Sequence, residues 1–232
     1  MIKFNFQAIK KAQKMFKFKE LKLRQRKEKD EYPQSLALRV HRALSWLNKA
    51  ESCEDDDSKF IFLWIAFNSA YAQDFEQKHN YGEKGIYQEF LTKLVVLDKQ
   101  KLLAGIVWKN YSNAIRLTLD NEFILQPYWD FHSGKISQSQ WQEARSKAKI
   151  AANAALGDNN TATVLSIVFA RLYTLRNQII HGGATYNSSA NRKQLRDCTL
   201  LLEQIVPAVI NIMMDGKNEL WGDPVYPFIG SN

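Results

Sequence analysis

Hydrophobic and polar positions along this chain fall into one helical pattern after another. Leu36, Val40, Leu44 and Leu47 step by four, four and three residues, which holds them on one side of a helix as a stripe for burial, with Trp46 at its edge. Lys59 to about Asp74 forms a second pattern, with Trp64, Asn68 and Tyr71 along one face and Ser58 expected as its N-cap. Tyr87 to Asp98 and Gln100 to Ile124 follow; the latter carries Leu103, Val107, Tyr111, Ile115 and Leu119 at repeated four-residue intervals and stops at Pro127. Ser137 to Leu156 is an alanine-rich helix begun by Ser137 or Ser139, and the final helix reaches about Met214 with Leu195, Leu202, Ile205, Val209 and Ile212 inward and a kink or break at Pro207. Residues 76–86, with His79, read as a loop. Only the first thirty or so residues are ambiguous in period: Ile2, Phe6, Ile9 and Phe16 fit a helical face, while Phe4/Phe6, Phe16/Phe18 and Leu21/Leu23 alternate as in strands, and a helix is favoured. The fold predicted is all-α.

The most periodic helix is TATVLSIVFARLYTLRNQII. Leu165, Val168, Leu172, Leu175 and Ile179 form its apolar stripe, Asn160 or Thr161 caps its start, and Gly182-Gly183 supply the left-handed position that ends a helix. Beside the stripe runs a second row, Tyr173, Asn177 and His181, each four residues after the last and so stacked one above another, with Arg176 on its shoulder. Hydrogen-bonding and acid/base groups gather there as nowhere else in the chain.

Arg176, Asn177 and His181 make an Arg, a polar residue and a His at Arg-x(4)-His spacing near a helix end, and here the chain resembles the HEPN superfamily of helical domains. Phe60 to Tyr71, FIFLWIAFNSAY, is similar to the aromatic core helix that packs beside the motif helix in bacterial members. The resemblance implies a HEPN-like up-and-down helical bundle with additional helices. It also implies a homodimer in which two motifs face each other across one cleft, acting as a metal-independent endoribonuclease that leaves a 2′,3′-cyclic phosphate and a 5′-hydroxyl, often as a toxin or in phage defence. Carried onto this chain, Arg176 and His181 are the catalytic pair and Asn177 the accessory polar residue, with no cofactor, RNA as substrate, and an antitoxin or a nucleotidyltransferase as candidate partner.

Composition changes this picture in three ways. Hydrophobic content of 45% with six Trp suits one sizeable core rather than disorder. Cys53 and Cys198 are isolated thiols, which suits a reducing cytoplasm, and no Cys/His cluster proposes a metal site. No signal-peptide core or membrane-length apolar run is evident. Charge is uneven: residues 1–30 carry 11 Lys+Arg against 3 Asp+Glu, so the whole excess of +8 lies there and the remainder is formally neutral. That basic arm with interleaved Phe suits either a polyanion or membrane surface, or a solvated or partner-packing helix. Three parts are therefore expected: an arm over 1–30 set off by Tyr32-Pro33, a helical domain over 31–215, and an aromatic tail over 216–232 packed back on the body.

Cleaving RNA through its 2′-hydroxyl requires a base for that hydroxyl, an acid for the leaving 5′-oxygen, and cationic donors for the phosphoryl oxygens. His181 stands at the negative end of the helix dipole, a position that favours a cationic side chain, and Arg176 offers a planar fork for phosphate. Five residues along a helix turn the two side chains about 140° apart, so one protomer looks underequipped and two motifs at one phosphate supply what is missing. Around them, Tyr173 and Asn68 are expected to line the cleft, and Arg192 and Lys193, opening the last helix, to meet phosphate. Tyr128, Trp129 and Phe131 suit either base stacking or packing, and His132 is a second histidine in their midst. Two other readings stay open: a non-catalytic HEPN module that binds RNA, a nucleotide or a protein partner, and a structural domain in which these residues merely bridge helices.

Overall fold

The computed structural model describes residues 17–71, 83–189, 192–224 and 226. Among these there are ten α-helices and no strand: α1 (Phe18–Glu28), α2 (Gln34–Glu51), α3 (Asp56–Tyr71), α4 (Glu83–Leu97), α5 (Leu102–Gly105), α6 (Ser112–Asp120), α7 (Gln126–His132), α8 (Gln138–Gly157), α9 (Thr161–Ile180) and α10 (Arg192–Asp215). The all-α expectation holds.

The helix at the centre is α10. Every residue from Ile205 to Met214 is buried, so this stretch is apolar on all sides and requires neighbours all round. It has them: α10 packs against α1, α2, α3, α4, α5 and α6. Among the described residues α10 is also the one helix long and apolar enough to cross a membrane, but most of that stretch is buried inside the bundle. It runs through Pro207 without the expected break. Its one buried amide, Asn211, accepts a hydrogen bond from Arg24 at 2.7 Å, and Arg24 also reaches Asp215 at 2.6 Å.

Those contacts come from the basic arm. Its second half, α1, is no free extension of the chain: Leu21 is buried, the Phe18 backbone N–H donates to the Glu51 carboxylate at 2.8 Å, and the helix packs on α2 and α10. Residues 1–16 lie outside the described part. At the other end residues 221–223 lie against the helices. Trp221 is buried and donates to the Gly216 carbonyl at 2.9 Å, while Arg39, 1% exposed, donates to the carbonyls of Ala70, Gly222 and Asp223 at 3.0, 3.2 and 2.8 Å.

Three local expectations are corrected. α3 begins at Asp56, and its cap is Asp55, whose carboxylate accepts the Ser58 N–H at 2.7 Å, so Ser58 lies inside the first turn. α4 begins at Glu83, inside the stretch read as a loop, whose earlier part lies outside the described residues together with His79. The helix expected over 100–124 is broken into α5, a π-turn at Ile106–Asn110, α6 and a short 3₁₀ turn at Glu122–Ile124. Strict four-residue spacing drifts around a 3.6-residue helix; the wider π-turn, closed by Tyr111 N–H to the Ile106 carbonyl at 3.0 Å, takes up the excess. Leu103, Val107, Ile115 and Leu119 thereby all reach the core.

Candidate nucleic-acid cleavage site

The local sequence frames α9 at both ends. Asn160 accepts the Thr163 N–H at 3.0 Å, and the far end closes through Gly182 N–H to Ile179 at 3.2 Å and Gly183 N–H to Gln178 at 2.7 Å. This paired closure needs a left-handed residue, and Gly182 takes it at φ +70°. His181 is thereby the last residue before the turn, exposed, and its imidazole has no hydrogen-bond partner among the described residues.

One turn earlier the polar row is assembled. Arg176 donates to the Asn177 side-chain oxygen at 2.9 Å, and its guanidinium lies 5.9 Å from the Tyr173 ring centre, within cation–π range. The Tyr173 ring in turn stands 6.2 Å from Trp64 of α3. Trp64 and Phe67 both meet Phe169, the latter at 4.1 Å, so an aromatic layer fixes one side of α9 from below. Arg176 Nε is buried and has no acceptor among the described residues.

The remaining predicted residues divide. Trp64 contacts Phe169 and Tyr173 while Phe67 contacts Phe169, so α3 and α9 run antiparallel here. Asn68, half-buried a turn beyond Trp64, therefore lies toward the start of α9 and away from His181. Arg192 is engaged with Asp57 at 2.6 Å and with the Ser188 carbonyl at 3.2 Å, pinning the loop that follows the motif. Lys193 is exposed and lines a separate cleft of about 750 Å³ with Phe123, Tyr128, Trp129 and Arg145. That cleft adjoins the motif end of α9, because Gln178 donates to the Phe123 carbonyl at 2.7 Å, an oxygen that also accepts from Trp129 at 2.8 Å. His132 is exposed at the end of α7, its ring 4.3 Å from that of Tyr128.

Comparison of the chain with protein-family models, with curated proteins and with solved structures gives no match. Function therefore has to be argued from the side chains themselves. Among the described residues no group of three or more His, Cys, Asp and Glu is placed to hold a metal ion. The Cys198 thiol, buried against α6, is pushed up to about 12 by that burial and is no ready nucleophile.

Buried Arg171, like Arg39, escaped the sequence pattern. Arg171 stands three residues after Val168 and four before Leu175, on the apolar stripe itself, and it is 7% exposed. A charge at a stripe position was the available signal. Burial lowers its pKa to about 10.

Proposed function

We propose that the chain is a metal-independent endoribonuclease of the HEPN type that cleaves RNA by attack of the 2′-hydroxyl at a site shared between two copies. The observation that carries the proposal is the end of α9: Arg176 is held by Asn177 at 2.9 Å and braced on Tyr173, and the next turn closes on an exposed His181. In the reaction the 2′-oxygen loses its proton to a base and bonds to phosphorus; the P–O5′ bond breaks, and the leaving oxygen takes a proton from an acid. His181 of each copy serves one of these two proton transfers. Arg176 donates to the phosphoryl oxygens as charge builds on them, and Asn177 positions that guanidinium. Lys193 and the aromatic cleft beside Gln178 offer a place for the strand leading to the scissile phosphate.

The test is cleavage of total and transfer RNA in EDTA by the purified protein, His181→Ala and Arg176→Ala, with oligomeric state measured alongside. Cyclic-phosphate ends made by the parent dimer and lost in both variants support the nuclease. Equal traces in all three, or a monomer with full activity, defeat it. RNA or nucleotide binding that survives without cleavage moves the function to a non-catalytic binding module.

A further inference from the structure

Two arginines are buried to a similar degree, and they differ in what they touch. Arg39 spends its guanidinium on three backbone carbonyls. Arg171 has no hydrogen bond or ion pair among the described residues, and its Nε is fully buried without an acceptor. An unpaired buried cation is costly unless something answers its charge.

Arg171 lines a solvent-open cavity of about 450 Å³ between α8, α9 and the segment from Leu119 to Leu125, which also contributes the Asp120 and Glu122 carboxylates. α8 presents Gln142, Arg145, Ser146 and Lys149 to it at spacings of three, one and three, a single helix face that ends in donors. The rim cations sit in exposed ion pairs, Arg145 with Glu122 at 3.0 Å and Lys149 with Asp120 at 3.9 Å, each cation more than half exposed. Exposed pairs of this kind rearrange at little cost. A dianion entering the cavity meets the buried, unpaired Arg171 and draws in Arg145 and Lys149 from the exposed rim, with Ser146 and Gln142 as neutral donors. Arg145 also lines the aromatic cleft of Phe123, Tyr128 and Trp129, so the two spaces lie on either side of one side chain.

We infer that the cavity floored by Arg171 and rimmed by Arg145 and Lys149 is a binding site for a phosphoryl group. It does not depend on the ribonuclease proposal, because Arg171 lies about 140° around α9 from Arg176. The phosphoryl group comes from a free phosphate or mononucleotide, or from the backbone of an RNA strand, and the same contacts serve each.

The test is the unfolding temperature of the full-length protein with millimolar inorganic phosphate, AMP or a ten-nucleotide single-stranded RNA, ionic strength held constant with chloride. A ligand that binds only the folded state raises that temperature as its concentration passes the dissociation constant. Stabilisation by phosphate and AMP marks a free-ligand site, and stabilisation by the RNA alone marks a backbone phosphate. Arg171→Met, which replaces an unpaired buried charge with an apolar chain of similar length, is expected to fold at least as stably as the parent and to lose the ligand-dependent shift. The paired variant Arg145→Gln/Lys149→Gln, altered only at the exposed rim, is expected to weaken affinity about tenfold or more. No shift in the parent with any of the three, an undiminished shift in Arg171→Met, or unchanged affinity in the rim variant overturns the inference.

Discussion

Arg192 closes on the Asp57 carboxylate at 2.6 Å and thereby ties the first turn of α10 to the first turn of α3. The same guanidinium donates to Ser188, so one side chain holds two helices and the loop after the motif. Both partners are mostly shielded, which places the pair between exposed ion pairs, worth little, and fully buried ones, costly to break. Asp57→Asn is expected to cost about 1–2 kcal/mol in urea unfolding. Arg192→Gln, which also releases Ser188, is expected to cost as much or more. A double-mutant cycle with no coupling would show that the loop is held by something else.

Arg39 supports a second prediction, concerning the tail. Its three carbonyl acceptors belong to the end of α3 and to residues 222 and 223, and the nearby Arg42 donates to the Tyr226 carbonyl at 2.6 Å. Burial lowers the Arg39 guanidinium to about 10, so it stays charged throughout the neutral range and its hydrogen bonds are charge-assisted. Arg39→Met leaves those carbonyls without their donor in a dry region. We expect a loss of about 3 kcal/mol and early proteolytic release of the segment after Trp221, read by limited proteolysis with mass spectrometry. Retention of the tail under those conditions would mean that Trp221 alone anchors it.

How much of this was legible in advance depended on how local the cause was. The stripes of α2 and α9 and the caps at Ser137, Asn160 and Gly182 all showed in the sequence, because side-chain spacing and cap chemistry act within one or two turns. The π-turn did not, since a strict four-residue repeat also describes an unbroken helix until its neighbours fix which side is inward. α9 stood out because its polar row suggested chemistry, yet α10 forms the centre: the stripe read in its sequence did not show that Ile205 to Met214 is buried on every side. At the candidate site, Arg176 meets Asn177 and Tyr173 because all three lie on one helix, while the imidazole of His181, which the row also included, makes no hydrogen bond with them. The surroundings of Arg192 and Arg171 did not show: the first is held by Asp57, some 135 residues away, and the second faces a cleft built from three separate segments, although its charge on an apolar stripe marked it.

Asp55 yields a pH prediction. The Ser58 backbone N–H holds its carboxyl below the ordinary carboxylate value, because that hydrogen bond favours the charged form. With the folded value depressed, the cap contributes stability that is fully present above the unfolded-state value and is lost as pH falls through the folded one. Asp55→Ala is therefore expected to cost about 1 kcal/mol at neutral pH, and the gap between variant and parent to close below about pH 4. Urea midpoints measured from pH 7 down to pH 3 check this; a gap independent of pH would assign the loss to packing and not to the cap.

The last prediction couples the helix end to the proposed chemistry. Gly182 at φ +70° sets where α9 stops, and a Cβ there meets open space, so backbone strain alone decides what the position accepts. Alanine at a left-handed position costs about 1 kcal/mol, whereas asparagine tolerates that conformation. Gly182→Ala is thus expected to fray the last turn and displace His181, lowering RNA cleavage far more than thermal stability, while Gly182→Asn keeps most of both. Gly183 differs, because a Cβ there stands 3.1 Å from the Gln178 carbonyl that its own N–H must reach. Gly183→Ala is expected to weaken that closing hydrogen bond and to reduce cleavage as well. Cleavage rates that follow the order parent, Gly182→Asn, Gly182→Ala would show that activity depends on the geometry of the helix end. Identical rates in all three would separate His181 from the reaction and leave α9 as a structural helix.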